Sequence, residues 1–87
     1  MSNKEKEMLK ISYQQKFAQL LDIRKFVDEG RKGWSKEDYA QQCGIVLGYK
    51  MAVLELLELN KRTGTCQHII EQWEKEVIEK NKQEAAN

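Results

Sequence analysis

Residues 43–59 read CGIVLGYKMAVLELLEL, and within them only Lys50, Glu55 and Glu58 carry charge. A helix wetted on one side shows a single apolar stripe. This one shows two. Tyr39, Cys43, Val46, Leu47, Val53, Leu54 and Leu57 make one face, and Ile45, Tyr49, Leu56 and Leu59 make another. Gly44, Gly48 and Ala52 form a ridge of small residues where another backbone can approach closely. Each glycine inside a helix costs about 1 kcal/mol relative to alanine, so the ridge implies a packing use. The pattern predicts a central helix buried on several sides, partly by a second copy of the chain. Gly44, Gly48, Tyr49, Ala52, Leu56 and Leu59 would form that interface. A protein partner on the same patch is the other reading.

The flanks supply the ends of this helix. Ser35 is a good N-cap, and Asp38 three residues later completes an approximate capping box. Trp34 before the cap and Tyr39 after it suit a hydrophobic staple. The helix then runs over about 35–62, with Gly64 as C-terminal cap and Lys61 and Arg62 at the negative end of its dipole. At 1.5 Å per residue it is roughly 40 Å long.

Upstream, Leu9, Tyr13, Phe17, Leu20, Arg24 and Val27 share one face at spacings of three and four, which predicts a helix over about 3–28 ended by Gly30. Downstream, Thr65 can cap a third helix over about 66–82, on which Cys66, Ile69, Ile70, Trp73 and Val77 give one stripe. The tail, 83–87, is expected to fray. Short connections imply antiparallel neighbours. The fold expected is therefore all-α: one antiparallel three-helix domain over 1–87 with a long central helix, self-associating.

Composition agrees. Proline is absent from the 87 residues, and Glu, Lys, Gln and Leu abound. So short a chain buries only about 60–65% of its unfolded surface, which makes oligomerisation a common remedy. Two cysteines are too few for a disulfide framework and read as reduced packing thiols. The charged start MSNKEKE has no apolar run of a signal peptide, and 43–59 is too short and too charged to span a bilayer, so a cytoplasmic location is expected.

Charge bears on partners. Fifteen basic against fourteen acidic residues leave a net charge of +1, which argues against wholesale wrapping of nucleic acid. The helices are too long for a helix-turn-helix, and no face collects Lys or Arg with base-reading Asn or Gln. A nucleic-acid-binding adaptor is accordingly a third choice. Neither cysteine has a sequence-near histidine base, and no Gly-x-Ser-x-Gly elbow is present. His68 with Cys66 does not make a four-ligand zinc site. No enzyme, cofactor or metal is expected.

Two cationic features remain. Lys50 sits inside the first apolar face of its helix, and Arg24 intrudes likewise on helix one. They either line a semi-enclosed site for an anion such as phosphate, or carry their charges past the rim, or pair with Glu or Asp across an interface. The loop Gly30-Arg31-Lys32-Gly33-Trp34 combines two glycines, two cations and a stacking ring before a helix N-terminus, where phosphate is commonly held. It lacks the spacing of a Walker A loop, and the plainer reading is a tight turn. Arg24, Arg31, Lys32, Trp34 and Lys50 are thus the candidate ligand-binding residues. The Gly30–Gly33 segment is also a possible hinge for domain swapping.

The stretch YAQQCGIVLGYKMAVLELL at 39–57, with Gly48-Tyr49 followed by Met51-Ala52, resembles the glycine-containing apolar helix of the small helical anti-CBASS sponges, with which phages sequester immune cyclic nucleotides. The long first helix and the loop after it fit that plan, while the third helix has no counterpart in it. The resemblance implies an oligomer with nucleotide sites at subunit junctions, and transfers no ligand-contacting residue. The function expected first is non-catalytic binding of a small anionic ligand, plausibly a nucleotide, by a phage-type counter-defence factor. The alternative is a helical interaction protein that inhibits or assembles a macromolecular partner without a small ligand.

Overall fold

Ser2 opens the first helix. Its backbone is extended (φ −75°, ψ 162°), and its hydroxyl accepts from the Glu5 amide at 3.1 Å while lying 3.2 Å from the Glu5 carboxylate. This satisfies donors that a helix start leaves orphaned. The structure, a computed structural model, describes residues 2–59 and 67–86, the side chains of Leu59 and 84–86 excepted. Its helices are α1 (Asn3–Asp28), α2 (Lys36–Leu59) and α3 (Gln67–Ala86).

The corner after α1 is built from backbone bonds. Gly30 N–H donates to Val27 O at 3.0 Å, and Arg31 N–H donates to Phe26 O at 2.9 Å. That pair of bonds, with Gly30 at φ +69°, is a Schellman cap. A second reversal follows, in which Trp34 N–H donates to Arg31 O at 3.2 Å with Gly33 at φ +91°. Its third position requires positive φ, hence glycine. The expected capping box then starts α2: Asp38 N–H donates to Ser35 Oγ at 3.4 Å, and Ser35 N–H donates to Asp38 Oδ2 at 2.7 Å. With both ends capped, the chain turns sharply here.

Three cross-helix relations fix the directions. Leu9 and Leu56 line one cleft, the Tyr13 and Tyr49 rings stack at 6.4 Å, and Gln42 Nε2 donates to Lys16 O at 3.3 Å. Rising numbers on α1 meet falling numbers on α2, so the two are antiparallel. Along α3, Trp73 lies beside Lys6 and Lys10, whereas Lys80 and Asn81 face Ala18 and Asp22. α3 therefore runs in the direction of α1 and opposite to α2.

The core lies where the three meet. Tyr13, Val46, Val53, Leu57, Ile70 and Trp73 are buried, with Leu9, Phe17, Leu20, Tyr49, Leu54 and Ile69 packed around them. Tyr13 is its centre, fully enclosed, with its ring stacked on Phe17 and Tyr49 and tilted against Trp73.

Three expectations change. α3 continues to Ala86, so 83–86 are helical rather than frayed. Its last residues, Lys82 to Ala86, are good helix formers without glycine or proline. Leu47 leaves the first face of α2 for solvent, and Tyr49 leaves the second for the core, because the Tyr13 ring draws that flank of α2 onto α1. Trp34 packs on Phe26 of α1, ring centroids 5.4 Å apart, rather than stapling to Tyr39. The caps expected at Gly64 and Thr65, the α2 end near 62 and Cys66 lie outside the described residues.

Candidate functional site

The five candidate ligand-binding residues do not converge. Lys50 is half-buried at the level of Tyr13, with its Nζ 3.6 Å from Glu74 Oε2 on α3. Arg24 is exposed and lies 3.9 Å from Asp28, one turn along its own helix. From Tyr13 to Arg24 is three turns of α1, about 16 Å at 1.5 Å per residue. Each cation has a carboxylate beside it, so the arrangement observed is the pairing alternative and not a shared cradle for an anion.

The α1–α2 corner keeps its three candidates together on the surface. Arg31 lies over the Phe26 ring at 4.5 Å from its centroid and 3.4 Å from Glu29. Trp34 closes on the same phenyl ring and remains exposed, as does Lys32. Phe26 thus anchors the corner, a role that its place one step off the main stripe of α1 did not signal. The Arg31 side chain supplies the contact that a Schellman cap often makes with the helix below it.

The polar centre of the fold is Tyr13–Glu74–Lys50. Tyr13 donates its hydroxyl to Glu74 Oε2 at 2.5 Å. Burial first, then this hydrogen bond and the charge of Glu74, push the Tyr13 pKa far above its ordinary value. Nearby on α1, Gln14 Nε2 donates to Trp73 O at 3.1 Å and to Glu76 Oε2 at 3.0 Å, and Lys10 lies 3.2 Å from the same Glu76 oxygen. These contacts hold Glu76 below the usual carboxylate range. They form an interhelical seam between α1 and α3.

Among the described residues, the outer side of α2 carries several large exposed apolar side chains. Met51 is 64% exposed, Leu47 59%, Ile45 46% and Leu56 43%, with Met8 of α1 beside Leu56. Gly44, Gly48 and Ala52 are exposed among them. A Cβ built on Gly44 or Gly48 meets nothing within 4 Å. Leu47 and Met51 stand on one flank of this strip of small residues, Ile45 and Leu56 on the other, which makes a shallow groove along the helix. Of the interface residues expected, Gly44, Gly48, Ala52 and Leu56 lie on this face. Tyr49 does not, and the Leu59 side chain lies outside those described.

Among the described residues, no group of three His, Cys, Asp or Glu side chains is placed to hold a metal ion, and no helix is long and apolar enough to cross a membrane. No protein family, curated protein or solved structure matches this chain.

Proposed function

We propose that this chain is a non-catalytic helical interaction protein that works through the outer face of α2. The observation that supports this most is the group of exposed apolar side chains, Ile45, Leu47, Met51 and Leu56, flanking the small residues on the outer half of α2. Single exposed apolar residues are ordinary on protein surfaces, whereas contiguous patches mark interaction sites. Affinity capture with the wild-type chain and with Met51→Glu as baits tests it. A partner, of this sequence or another, is expected on the wild type and lost from the variant at unchanged helicity. Equal recovery on both would remove the reading.

A second reading, capture of a small phosphate-bearing ligand by a phage-type counter-defence factor, has support from the α1–α2 corner. Arg31, Lys32 and Trp34 stand exposed together on a turn fixed by its backbone bonds. Calorimetric titration with a cyclic dinucleotide tests it. Stoichiometric binding lost in Arg31→Ala/Lys32→Ala would favour capture, and no heat at any ratio would end it.

A further inference from the structure

We infer that the outer face of α2 binds a second copy of this chain, the two α2 helices crossing antiparallel with Gly48 at the two-fold axis. This rests on the interaction reading above and names its partner.

Surface area is the first argument. The chain exposes 6592 Å², where a compact monomer of 10.2 kDa exposes about 5300 Å². The excess, about 1300 Å² over the whole chain, means that much surface is left uncovered by the single copy. The radius of gyration points the same way: 14.7 Å, against about 12 Å for a compact chain of this length. On α2 that uncovered surface includes Ile45, Leu47 and Met51, which a second copy on this side would take out of water.

The glycines are the second argument. Among the described residues nothing lies within 4 Å of a Cβ built on Gly44 or Gly48, so the packing seen within one chain does not need them. Each still lowers helix stability by about 1 kcal/mol relative to alanine. A second helix laid across them accounts for both, because backbones approach closely only where side chains are missing.

Register and charge select the copy and its direction. An isologous contact must match a surface to itself. In an antiparallel crossing at Gly48, positions equally far before and after it meet across the axis. Gly44 then faces Ala52, the Met51 side chain lies by Leu47 on the same flank, and the Gln41 amide reaches the Glu55 carboxylate. All six are exposed in the single chain. Parallel pairing would instead set Glu55 against Glu55, a like-charge contact that disfavours association.

Sedimentation equilibrium of the full chain, with apolar-dye fluorescence alongside, tests the inference. The wild type is expected at twice 10.2 kDa. Gly48→Leu, whose side chain enters open space in the single chain, is expected to keep its circular dichroism and sediment as one copy. Gln41→Lys gives each Glu55 a cation in this register and is expected to tighten the dimer several-fold. A Gly48→Leu protein that stays dimeric, or a Gln41→Lys protein that dissociates more readily, overturns the crossing. A monomeric wild type that binds dye, with binding lost in Met51→Glu, overturns the second copy and leaves the interaction reading standing. A monomeric wild type that binds no dye removes both.

Discussion

The Tyr13 hydroxyl donates to Glu74 Oε2 across 2.5 Å, joining residues 61 positions apart. The same oxygen lies 3.6 Å from Lys50 Nζ, so one carboxylate ties α1, α2 and α3 together. Tyr13 is fully enclosed, and Glu74 and Lys50 are mostly so. A hydrogen bond to an ionised acceptor is roughly twice as strong as a neutral one, and a buried hydroxyl left without a partner carries its full desolvation cost. Sliding α3 by one turn would orphan the Tyr13 hydroxyl. The contact therefore selects one register for an otherwise apolar junction.

Removing the acceptor is expected to cost more than removing the donor. Glu74→Leu leaves the Tyr13 hydroxyl buried without a partner, at about 1–3 kcal/mol. Tyr13→Phe keeps the ring stack, and leaves Glu74 its Lys50 neighbour, at about 1 kcal/mol. In urea denaturation the double variant should lose less than the two single losses together. Strict additivity would mean that the two residues stabilise the fold independently.

The same burial makes stability sensitive to base. Burial, the Glu74 hydrogen bond and the Glu74 charge all raise the Tyr13 pKa above its ordinary 10.0, so the folded state holds the phenolic proton more tightly than the unfolded chain does. A raised folded-state pKa gives stability that is fully present below the unfolded value and lost as pH rises beyond it. Alkaline unfolding is thus expected to steepen above pH 10. Tyr13→Phe should start lower at neutral pH and decline less steeply. Parallel curves for the two proteins would assign the alkaline loss to other groups.

The end of α1 and the start of α2 were legible because their signals are local. Ser35 and Asp38 stand three residues apart and bond to each other as that spacing implies, and Gly30 ends α1 where its left-handed conformation is needed. The face of α2 that turns inward was not legible in full. Both candidate faces are apolar, so periodicity alone does not rank them. Tyr13 decides it from another helix by stacking on Tyr49, which turns Leu47 outward. Lys50 was misleading for the same reason. Lys50 looks stranded when α2 is read alone, and its carboxylate lies on α3. Arg24 meets Asp28 one turn away, a partner present in the sequence at the spacing that pairs charges on a helix.

Loss of the α2 cap should be felt by the whole domain. Ser35 accepts from the Asp38 amide and donates its own amide to the Asp38 carboxylate. Ser35→Ala removes the first bond and is expected to cost about 1 kcal/mol. Ser35→Gly should cost only a few tenths of a kcal/mol, since glycine is also tolerated at N-caps. Thermal denaturation of the two variants checks the order. If the alanine variant is as stable as the glycine variant, the box is not stabilising α2.

Alanine should act with opposite sign at two glycines. At Gly30 the backbone is left-handed, φ +69°, with nothing within 4 Å of an added Cβ, so the penalty is backbone strain alone, about 1–2 kcal/mol. Gly30→Asn should recover part of it, because asparagine tolerates that conformation. Gly48 is in the interior of α2 with open space around it. Gly48→Ala is therefore expected to stabilise the single chain by about 1 kcal/mol, measured at a dilution where copies do not associate. Chemical denaturation of both variants reads the two signs directly. Stabilisation at Gly30 would mean that α1 does not end in the left-handed cap. Destabilisation at Gly48 under dilute conditions would mean that the outer side of α2 is covered within the chain itself.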